Sequence, residues 1–293
     1  MTALDFLKGH GTGNDFVVLP DPSADIDLTP DLVRALADRH RGIGADGVIR
    51  VATTGALVSR GVIAEAPAGV GEEDWFMDYR NADGSVAEMC GNGVRVFGHV
   101  LAGMGVPGTA EGDPVTIGTR AGRRVLTVHA VQGDLADVSV DMGAPVVGGE
   151  SAATLDGETY RGLAVDMGNP HLACVVPGLT ADTLAALDVT CQPTWDPADF
   201  PAGVNLELLT PLADGAVHMR VHERGVGETL SCGTGTVAAA VAALREAGER
   251  TGVVEVHVPG GTVRVTVTAD GSELRGPSRL VFRSTVETSA LAG

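Results

Sequence analysis

Residues 89–97 read MCGNGVRVF, and residues 231–238 read SCGTGTVA, so the pattern C-G-x-G occurs twice, each time before a helical run. A lone cysteine is usually buried as a small apolar side chain. Cys90 and Cys232 instead stand where a glycine-rich loop turns into a helix. A repeated cysteine at this kind of position calls for a chemical explanation as well as a structural one.

Further features of the chain indicate an internal repeat. A polar residue precedes each cysteine by nine positions, Asn81 before Cys90 and Glu223 before Cys232. Upstream, GTGND and MGNPH each place an asparagine after a glycine in a turn. This spacing predicts two lobes of related plan, each a strand-rich shell around one small-residue helix. Chance similarity within a single lobe is the alternative.

Composition limits the classes of function. The chain has 293 residues, 44% of them hydrophobic, which is enough for one large domain or two ordinary ones with real cores. Its formal net charge is −18, and such a charge repels phosphate backbones and anionic lipid. We therefore expect neither nucleic acid nor a membrane surface as a partner.

The reactive side chains argue against metal and cofactor chemistry. The four cysteines form no CxxC pair and have no nearby histidine at ligand spacing, so neither a zinc site nor a disulfide framework is expected. Lys8 is the only lysine and lies in a short N-terminal segment, which argues against a pyridoxal phosphate Schiff base. We predict no metal and no cofactor. Cys174, in an apolar strand, and Cys191, in a loop, are interpreted as structural.

The predicted location is the cytoplasm. The N-terminal segment MTALDFLKGH lacks the apolar run of a secretory signal, and the longest apolar stretch, residues 237–244, is too short to span a bilayer. Thiols stay reduced in the cytoplasm, as a reactive cysteine requires.

Apolar periodicity predicts many strands and few helices. The predicted helices are 30–39, 91–102, 181–187 and 233–247. Period-two alternation predicts strands at 124–130, 217–222, 254–258 and 262–267, the last two forming a hairpin around Pro-Gly-Gly. Loops are predicted at 53–73, 104–114 and 143–154.

A thiol at a helix N-terminus has a chemical advantage. The unpaired N–H groups and the partial positive charge there favour the thiolate and form a cradle for a carboxylate. Two such thiols facing one substrate would suit proton transfer at a carbon beside a carboxylate. A thiolate removes the proton from one face, a thiol donates a proton to the other, and the stereocentre inverts.

Six segments carry a resemblance to a known family. They are KGHGTGNDF (8–16), RGIGADGV (41–48), YRNADGSVAEMCGNGVRVFG (79–98), MGNPH (167–171), GVNLELL (203–209) and HERGVGETLSCGTGTVAAA (222–240). Together they resemble the diaminopimelate epimerase family of cofactor-independent amino-acid racemases. The two cysteine motifs are the specific part of the match.

The resemblance implies an α+β fold of two pseudo-symmetric lobes, each a β-barrel-like sheet wrapped around a central helix, with the site between them. We predict an N-terminal lobe at 1–133, to which a strand at about 278–293 returns, and a C-terminal lobe at 134–277. The implied enzyme converts LL-diaminopimelate to meso-diaminopimelate, a step in lysine and peptidoglycan precursor biosynthesis. The implied partners are this small-molecule substrate and a second copy in a homodimer.

The resemblance also implies the site residues. Cys90 and Cys232 would be the acid/base pair, and His171 would lie beside the thiols in a supporting role. The implied substrate-binding residues are Asn14, Asn81, Gly91, Asn92, Asn169, Asn205, Glu223, Arg224, Gly233 and Thr234. Backbone groups at the two helix starts would hold the reacting carboxylate. At the distal end, Arg224 can bind a carboxylate bidentately and Glu223 can accept from an ammonium.

The chain departs from some relatives in two places. Gly47 stands where some members carry a glutamine amide that helps to bind substrate, so that contact is missing here. The segment 53–73 is longer than is typical, and a solvated surface loop is the default interpretation.

Two alternative functions follow from the same motifs. Proline racemase and hydroxyproline epimerase also use paired cysteines, but a small apolar substrate would give Arg224, Asn81 and Asn205 nothing to bind. A non-catalytic amino-acid-binding protein on this scaffold would need the anion cradles but neither Cys90 nor Cys232. Both alternatives are therefore less consistent with the sequence than the epimerase.

Overall fold

The computed structural model describes residues 3–110 and 112–291. The chain forms two compact units, one made of Met1–Val140 with Pro277–Gly293 and the other of Asp141–Gly276. Among the described residues, both units contain more strand than helix. Among the described residues, none of the helices combines the length and the apolar character that a bilayer crossing requires.

In its described part, the first unit contains seven strands, the end of an eighth, and four helices. The strands are β1 (Ala3–Gly11), β2 (Asn14–Pro20), β3 (Gly47–Thr53), β4 (Trp75–Asn81), β5 (Pro114–Thr119), β6 (Gly122–Gln132), β7 (Leu135–Gly143) and the C-terminal part of β17 (Ser272–Glu287). The helices are α1 (Pro30–Ala37), α2 (Thr54–Ser59), α3 (Gly91–Gly103) and α6 (Thr288–Leu291).

Strands of the first unit pair in the order β17, β1, β2, β3, β4, β5, β6, β7. The β2–β3 and β4–β5 pairs are parallel and the others antiparallel. Strand β7 also pairs with β17, so these eight strands form a closed ring, as in a barrel. Helix α3 is buried throughout residues 91–101, and Gly98 lets it pack closely, because a Cβ there would lie 3.2 Å from Leu126 and Val138.

Over the described residues 141–276, the second unit contains nine strands, the start of β17, and two helices. The strands are β8 (Val146–Leu155), β9 (Glu158–Asp166), β10 (Pro170–Val175), β11 (Thr194–Trp195), β12 (Asn205–Leu209), β13 (Ala216–Glu223), β14 (Gly227–Thr229), β15 (Gly252–Val258) and β16 (Gly261–Val267). The helices are α4 (Ala181–Ala185) and α5 (Gly233–Glu246).

The pairing of the second unit repeats that of the first. The order β9, β10, β12, β13, β15, β16, β17 has parallel pairs at β10–β12 and β13–β15, in the places where the order β1 to β7 has them. Helix α5 connects β13 to β15 as α3 connects β4 to β5, and residues 235–244 of α5 are all buried. The internal repeat and the α+β class predicted from the sequence are confirmed.

Most predicted elements are confirmed, and two are wrong. Helices begin at residues 30, 91, 181 and 233 as predicted, and the hairpin is β15–β16. The segment 53–73 is not only a surface loop, because it contains α2, whose Leu57 packs with Ala52 and Phe76. The predicted loop 143–154 is largely strand β8, which pairs with β9. Its glycines and alanines hid a strand that is held by backbone pairing.

Asp78 on β4 is the centre of a buried charge cluster. Its carboxylate is fully buried and accepts from Arg50 Nε at 3.0 Å, Arg80 Nε at 2.9 Å and an Arg120 amino group at 2.7 Å. Burial alone would raise the pKa of Asp78, but the charge of Arg120, the hydrogen bond from Arg80 and the charge of Arg50 hold it below its ordinary value. The cluster thus needs the carboxylate ionised.

We predict that Asp78→Asn lowers the free energy of unfolding by about 3 kcal/mol or more, because the arginines lose their anion. The folded pKa is lowered, so the carboxylate stabilises the fold above the unfolded pKa of about 3.9 and loses this effect as pH falls through the folded pKa. In urea unfolding, the difference in free energy of unfolding between the variant and the wild type should be constant above about pH 5 and should become smaller below about pH 4. The exposed substitution Asp270→Asn should change stability by less than about 0.5 kcal/mol; a gap that widens in acid would contradict the assignment.

Candidate active site

Cys90 directly precedes helix α3. The cysteine is the N-cap, with extended backbone at φ −140° and ψ 116°, and its Sγ accepts from the N–H of Gly93 at 3.5 Å. The glycines let the chain turn into the helix without side chains over the first N–H groups. A partly exposed thiol therefore lies at the positive end of a buried helix.

Asn14 lies beside this thiol. Its Oδ1 accepts from Cys90 Sγ at 3.4 Å and from Asn92 Nδ2 at 3.4 Å. Its Nδ2 donates to Asp46 Oδ2 at 2.8 Å. Asp46 in turn accepts from an Arg39 amino group at 2.7 Å. The amide of Asn14 is thus held with its oxygen toward the thiol, which the sequence did not reveal because Asp46 lies 32 residues away from it.

We predict that Asp46→Asn lowers kcat/KM about 10-fold or more, because misplacing the Asn14 amide moves a group that touches the thiol. One oxygen of Asp46 accepts from Asn14 and the other from Arg39, so an amide must turn a donor toward one of them. Steady-state kinetics would measure the loss. Asp31→Asn, at a side chain 90% exposed, is the control that should leave kcat/KM unchanged; an equal loss there would remove the specific role of Asp46.

Arg95 lies in the middle of helix α3 and is fully buried. It donates to Thr12 Oγ1 at 3.0 Å and to the carbonyl of Pro277 at 3.2 Å, and no described residue accepts from its second amino group. Burial lowers the pKa of Arg95 to about 10, although the charges of Cys90 and Asp137 oppose this. A cation is therefore buried close to the Cys90 thiol.

Cys232 directly precedes helix α5 in the same way. The cysteine is again an extended N-cap, at φ −117° and ψ 116°, and its Sγ accepts from the N–H of Gly235 at 3.4 Å. The hydroxyl of Thr234 lies 3.5 Å from the sulfur, and Thr236 Oγ1 donates to the Cys232 carbonyl at 2.6 Å. Unlike Cys90, Cys232 is buried, with 7% of its surface exposed.

A buried acid and a histidine lie next to this helix start. Glu207 on β12 is fully buried, and its Oε1 is 2.6 Å from His171 Nδ1. The other ring nitrogen of His171 is 3.1 Å from Asn169 Oδ1. No described residue is a hydrogen-bond partner of Glu207 Oε2. His171 therefore links the predicted residue Asn169 to Glu207, a residue to which the sequence motifs gave no role.

The surroundings of Cys232 oppose the thiolate. Burial raises the pKa of Cys232 well above its ordinary value, and the charges of Glu223 and Glu207 act in the same sense. The hydrogen bonds from Thr234 and Gly235 lower it, but by less. The expectation that a helix N-terminus makes this thiol more acidic is wrong for Cys232, because burial and two nearby carboxylates outweigh the helix.

Asn205 fixes the loop that carries Arg224. Its Oδ1 accepts from the backbone N–H of Arg224 at 2.9 Å, and its Nδ2 donates to the Pro170 carbonyl at 2.9 Å. The Arg224 guanidinium is exposed and donates to the Ala202 carbonyl at 2.8 Å. Gly203 makes room for this side chain, because a Cβ there would lie 2.8 Å from Arg224 Cδ. Asn205 thus supports Arg224.

The structure brings together only part of the predicted set. In the first unit Asn14, Gly91 and Asn92 adjoin Cys90, whereas Asn81 ends strand β4 with its amide donating to Ser85 Oγ at 2.9 Å. In the second unit, residues 233 and 234 form the start of α5, and residue 169 contacts His171, which contacts Glu207 beside that helix start. Residues 205 and 224 form a separate pair. Glu223 accepts from Thr229 Oγ1. Direct contacts of these residues with substrate stay predictions.

Gly47 has no room for the glutamine that some relatives carry. A Cβ there would lie 2.5 Å from Tyr79 Cε2 and 2.6 Å from the Arg80 carbonyl. The backbone of Gly47 pairs with Asn81 across β3 and β4. A longer side chain at this position would therefore require Tyr79 to move.

Within residues 3–110 and 112–291, no three His, Cys, Asp or Glu side chains are grouped so that they could hold a metal ion. The four cysteines, all of them within the described ranges, form no disulfide. Lys8 is tied to Asp15 at 2.5 Å and to the Gly44 carbonyl. The candidate site therefore consists of thiols, amides, carboxylates and helix N–H groups.

Comparison with known proteins identifies the family. The family model described as diaminopimelate epimerase matches residues 6–148 and 163–281. The chain belongs to the diaminopimelate epimerase family. Among curated members of this family, one from Rhodococcus jostii (strain RHA1) is 58% identical over 284 residues, 97% of each chain. One from Mycobacterium bovis (strain BCG / Pasteur 1173P2) is 59% identical over 278 residues, 95% of each chain.

More distantly related solved structures share this fold. A predicted epimerase from Pseudomonas aeruginosa has a TM-score of 0.65 at 16% identity, covering 97% of this chain and 99% of that one. A probable proline racemase from Agrobacterium radiobacter K84, solved with bound carbonate, has a TM-score of 0.67 at 18% identity, covering 97% and 93%. These likenesses concern the fold alone. The sequence-based prediction of a racemase or epimerase of the diaminopimelate epimerase family is confirmed.

The sequence motifs did not predict a role for three residues near the thiols. Two of them are unusual charged residues in apolar segments. Glu207 is an acid inside the apolar run VNLELL, and Arg95 is a base inside the apolar helix GVRVFG. Charged residues are rarely buried without a partner, so an isolated one in such a run marks a special environment. Asp46 lies within the GADG motif (44–47), but the spacing of the motif does not predict its hydrogen bond with Asn14.

Proposed function

We propose that this protein interconverts LL- and meso-diaminopimelate by moving the α-proton between two thiols. The observation that carries the proposal is the repeated helix start, in which Cys90 and Cys232 are N-caps whose sulfurs accept N–H bonds. A single base tends to return the proton to the face it came from, and inversion needs a second acid. Membership of the family supports diaminopimelate as the substrate.

The reaction balances with the chain's own groups. One sulfur, as thiolate, takes the α-proton, so an S–H bond forms as the C–H bond breaks. The electron pair spreads into the carboxylate, where N–H groups at a helix N-terminus stabilise the added charge. The other thiol then gives its proton to the opposite face of the carbon. The N–H groups proposed for the carboxylate belong to Gly91, Asn92, Gly233 and Thr234.

The far end of the substrate would be recognised by charge. Diaminopimelate carries a second carboxylate and a second ammonium group. Arg224, which is exposed and fixed at its backbone by Asn205, suits the carboxylate. Glu223 suits the ammonium, and Asn81 and Asn169 can donate and accept beside them. Asn14, with its oxygen held toward Cys90, belongs to the reacting end.

The proposed reaction uses neither a metal nor a cofactor, because the thiols supply both proton transfers. We further infer a homodimer, by resemblance to the family, and a cytoplasmic location, where thiols remain reduced. Sedimentation velocity of the purified protein would give the mass of two chains. A species of one chain at all concentrations would rule out the dimer.

The experiment that tests the function supplies the reduced protein, in buffer containing a chelator and no added cofactor, with LL-diaminopimelate, L-proline or trans-4-hydroxy-L-proline. Chiral chromatography measures the products. The proposal expects meso-diaminopimelate from the first substrate and no conversion of the others. Turnover of proline alone would establish the racemase alternative. Binding of diaminopimelate without turnover of any substrate would establish the binding protein.

A further inference from the structure

The two units differ in the strand residues that lie against the starts of helices α3 and α5. In the first unit Phe16 on β2 pairs with Gly47 on β3, and in the second His171 on β10 pairs with Asn205 on β12. Because both pairs are parallel and hold the same place in the repeated strand order, Phe16 corresponds to His171.

The same register relates Ile49 to Glu207, since each lies two residues beyond the paired Gly47 or Asn205. Both residues lie against their own helix start. A Cβ on Gly93 of α3 would have Ile49 Cδ1 at 3.2 Å and Phe16 Cζ at 3.5 Å as neighbours. The repeat therefore has an apolar pair in one unit where it has a hydrogen-bonded Glu–His pair in the other.

The glutamate is close to Cys232. The Cβ of an alanine at Gly235 would lie 2.5 Å from Glu207 Oε1 and 3.3 Å from Cys232 Cβ. Gly235 also donates its N–H to the Cys232 sulfur. The glycine of the second C-G-x-G motif is thus the gap through which a buried carboxyl group reaches the first turn of α5.

We propose that Glu207, held by His171, is a positioning residue that keeps Cys232 in its protonated thiol form in the free enzyme. In the free enzyme Cys232 then starts as the acid, which leaves Cys90, close to the buried cation of Arg95, as the base. This starting assignment rests on the proposed two-thiol reaction. Glu207 acts through the charge it presents to the sulfur, and not by touching the substrate.

Charged groups from several strands act on Cys232 and Glu207. Those that reach the Cys232 sulfur come from Glu223 on β13 and Glu207 on β12. Those that reach Glu207 come from His171 on β10 and from Glu223. The pKa of Glu207 lies above its ordinary value, because burial, with the charge of Glu223, outweighs the opposing effect of His171. Cys174 on β10 is also close, since burial and then Glu207 raise its pKa. The helix N-terminus and His171 both favour the glutamate as an anion.

The test reads the thiols directly. Protein labelled with ¹³C at cysteine Cβ is titrated by NMR, with Cys232 assigned by substitution and Cys191 as an internal reference. In the wild type the Cys232 signal should remain at the chemical shift of a protonated thiol at pH values above about 8.5, the ordinary pKa of cysteine. Glu207→Gln, which keeps the side-chain shape, should lower this midpoint by about one pH unit, a roughly tenfold gain in thiolate. Glu255→Gln is the matched control and should change nothing.

Two results would overturn the proposal. The first is a wild-type Cys232 that ionises at or below the ordinary midpoint, which needs no variant to observe. The second is an unchanged midpoint in a folded Glu207→Gln protein, because it would mean that the carboxyl group is neutral. The titration requires no turnover, so failure of the proposed epimerase activity would leave its result readable, and the two outcomes remain distinct.

Discussion

Replacing Cys90 or Cys232 by alanine should lower the rate of inversion about 1,000-fold or more, since each substitution removes one of the two proton-transfer groups. Both cysteines are N-caps of buried helices, and alanine cannot accept the N–H of Gly93 or Gly235. That loss costs about 1 kcal/mol of stability, far less than the loss of activity. Chiral chromatography with LL- and meso-diaminopimelate in turn measures the rate in both directions.

Each single variant should also keep a partial reaction. The remaining thiol can still remove and return a proton on its own face, so slow exchange of solvent hydrogen without inversion is expected with one isomer. Cys191→Ala, at a partly exposed thiol outside the site, is the matched control and should retain the wild-type rate. Near-normal inversion by either active-site variant would rule out the two-thiol mechanism.

Replacing Arg224 by methionine should lower kcat/KM for diaminopimelate about 100-fold, the effect of leaving a carboxylate without its charged partner. The guanidinium is exposed and its backbone is fixed by Asn205, so the substitution removes a binding group with little effect on folding. Binding energy at the far end of a substrate is also used to orient the reacting end. Both KM and kcat should therefore change.

The conservative variant sharpens this prediction. Arg224→Lys keeps the charge but loses the two parallel hydrogen bonds, so its kcat/KM should fall between those of the wild type and Arg224→Met. Arg161→Met, at an exposed arginine of the same unit, is the control that should not change kcat/KM. If Arg224→Met bound and turned over diaminopimelate normally, the distal carboxylate would have to be recognised elsewhere.

Local signals in the sequence were sufficient for the elements around the site. The glycines after Cys90 and Cys232 and the small residues that follow predicted both buried helices to within a residue or two of their ends. The β-branched run around Pro-Gly-Gly predicted the β15–β16 hairpin. Strand β8 was missed because its residues 146–155 contain few β-branched side chains, and its pairing with β9 is a tertiary effect.

The site could be predicted only where a motif named the residue. Asn14, Cys90 and Cys232 stand in recognisable turns, and the structure places Asn14 against the first thiol. Glu207 and Arg95 are important because they are buried near the thiols. Their burial depends on how strands and helices pack, and the spacing of residues in the sequence does not predict it. One is an acid and the other a base, so two similar motifs have different chemical surroundings.

The direct test of the central claim is the position of deuterium after a short incubation of the wild-type protein with LL-diaminopimelate in deuterated water. Two thiols that exchange with solvent predict deuterium at the inverted α-carbon of newly formed meso-diaminopimelate. The unconverted LL-diaminopimelate should keep its α-proton at early times, because the base returns the proton that it has just removed. Deuterium that appears in the LL substrate before any meso product forms, or a meso product without α-deuterium, would contradict the account.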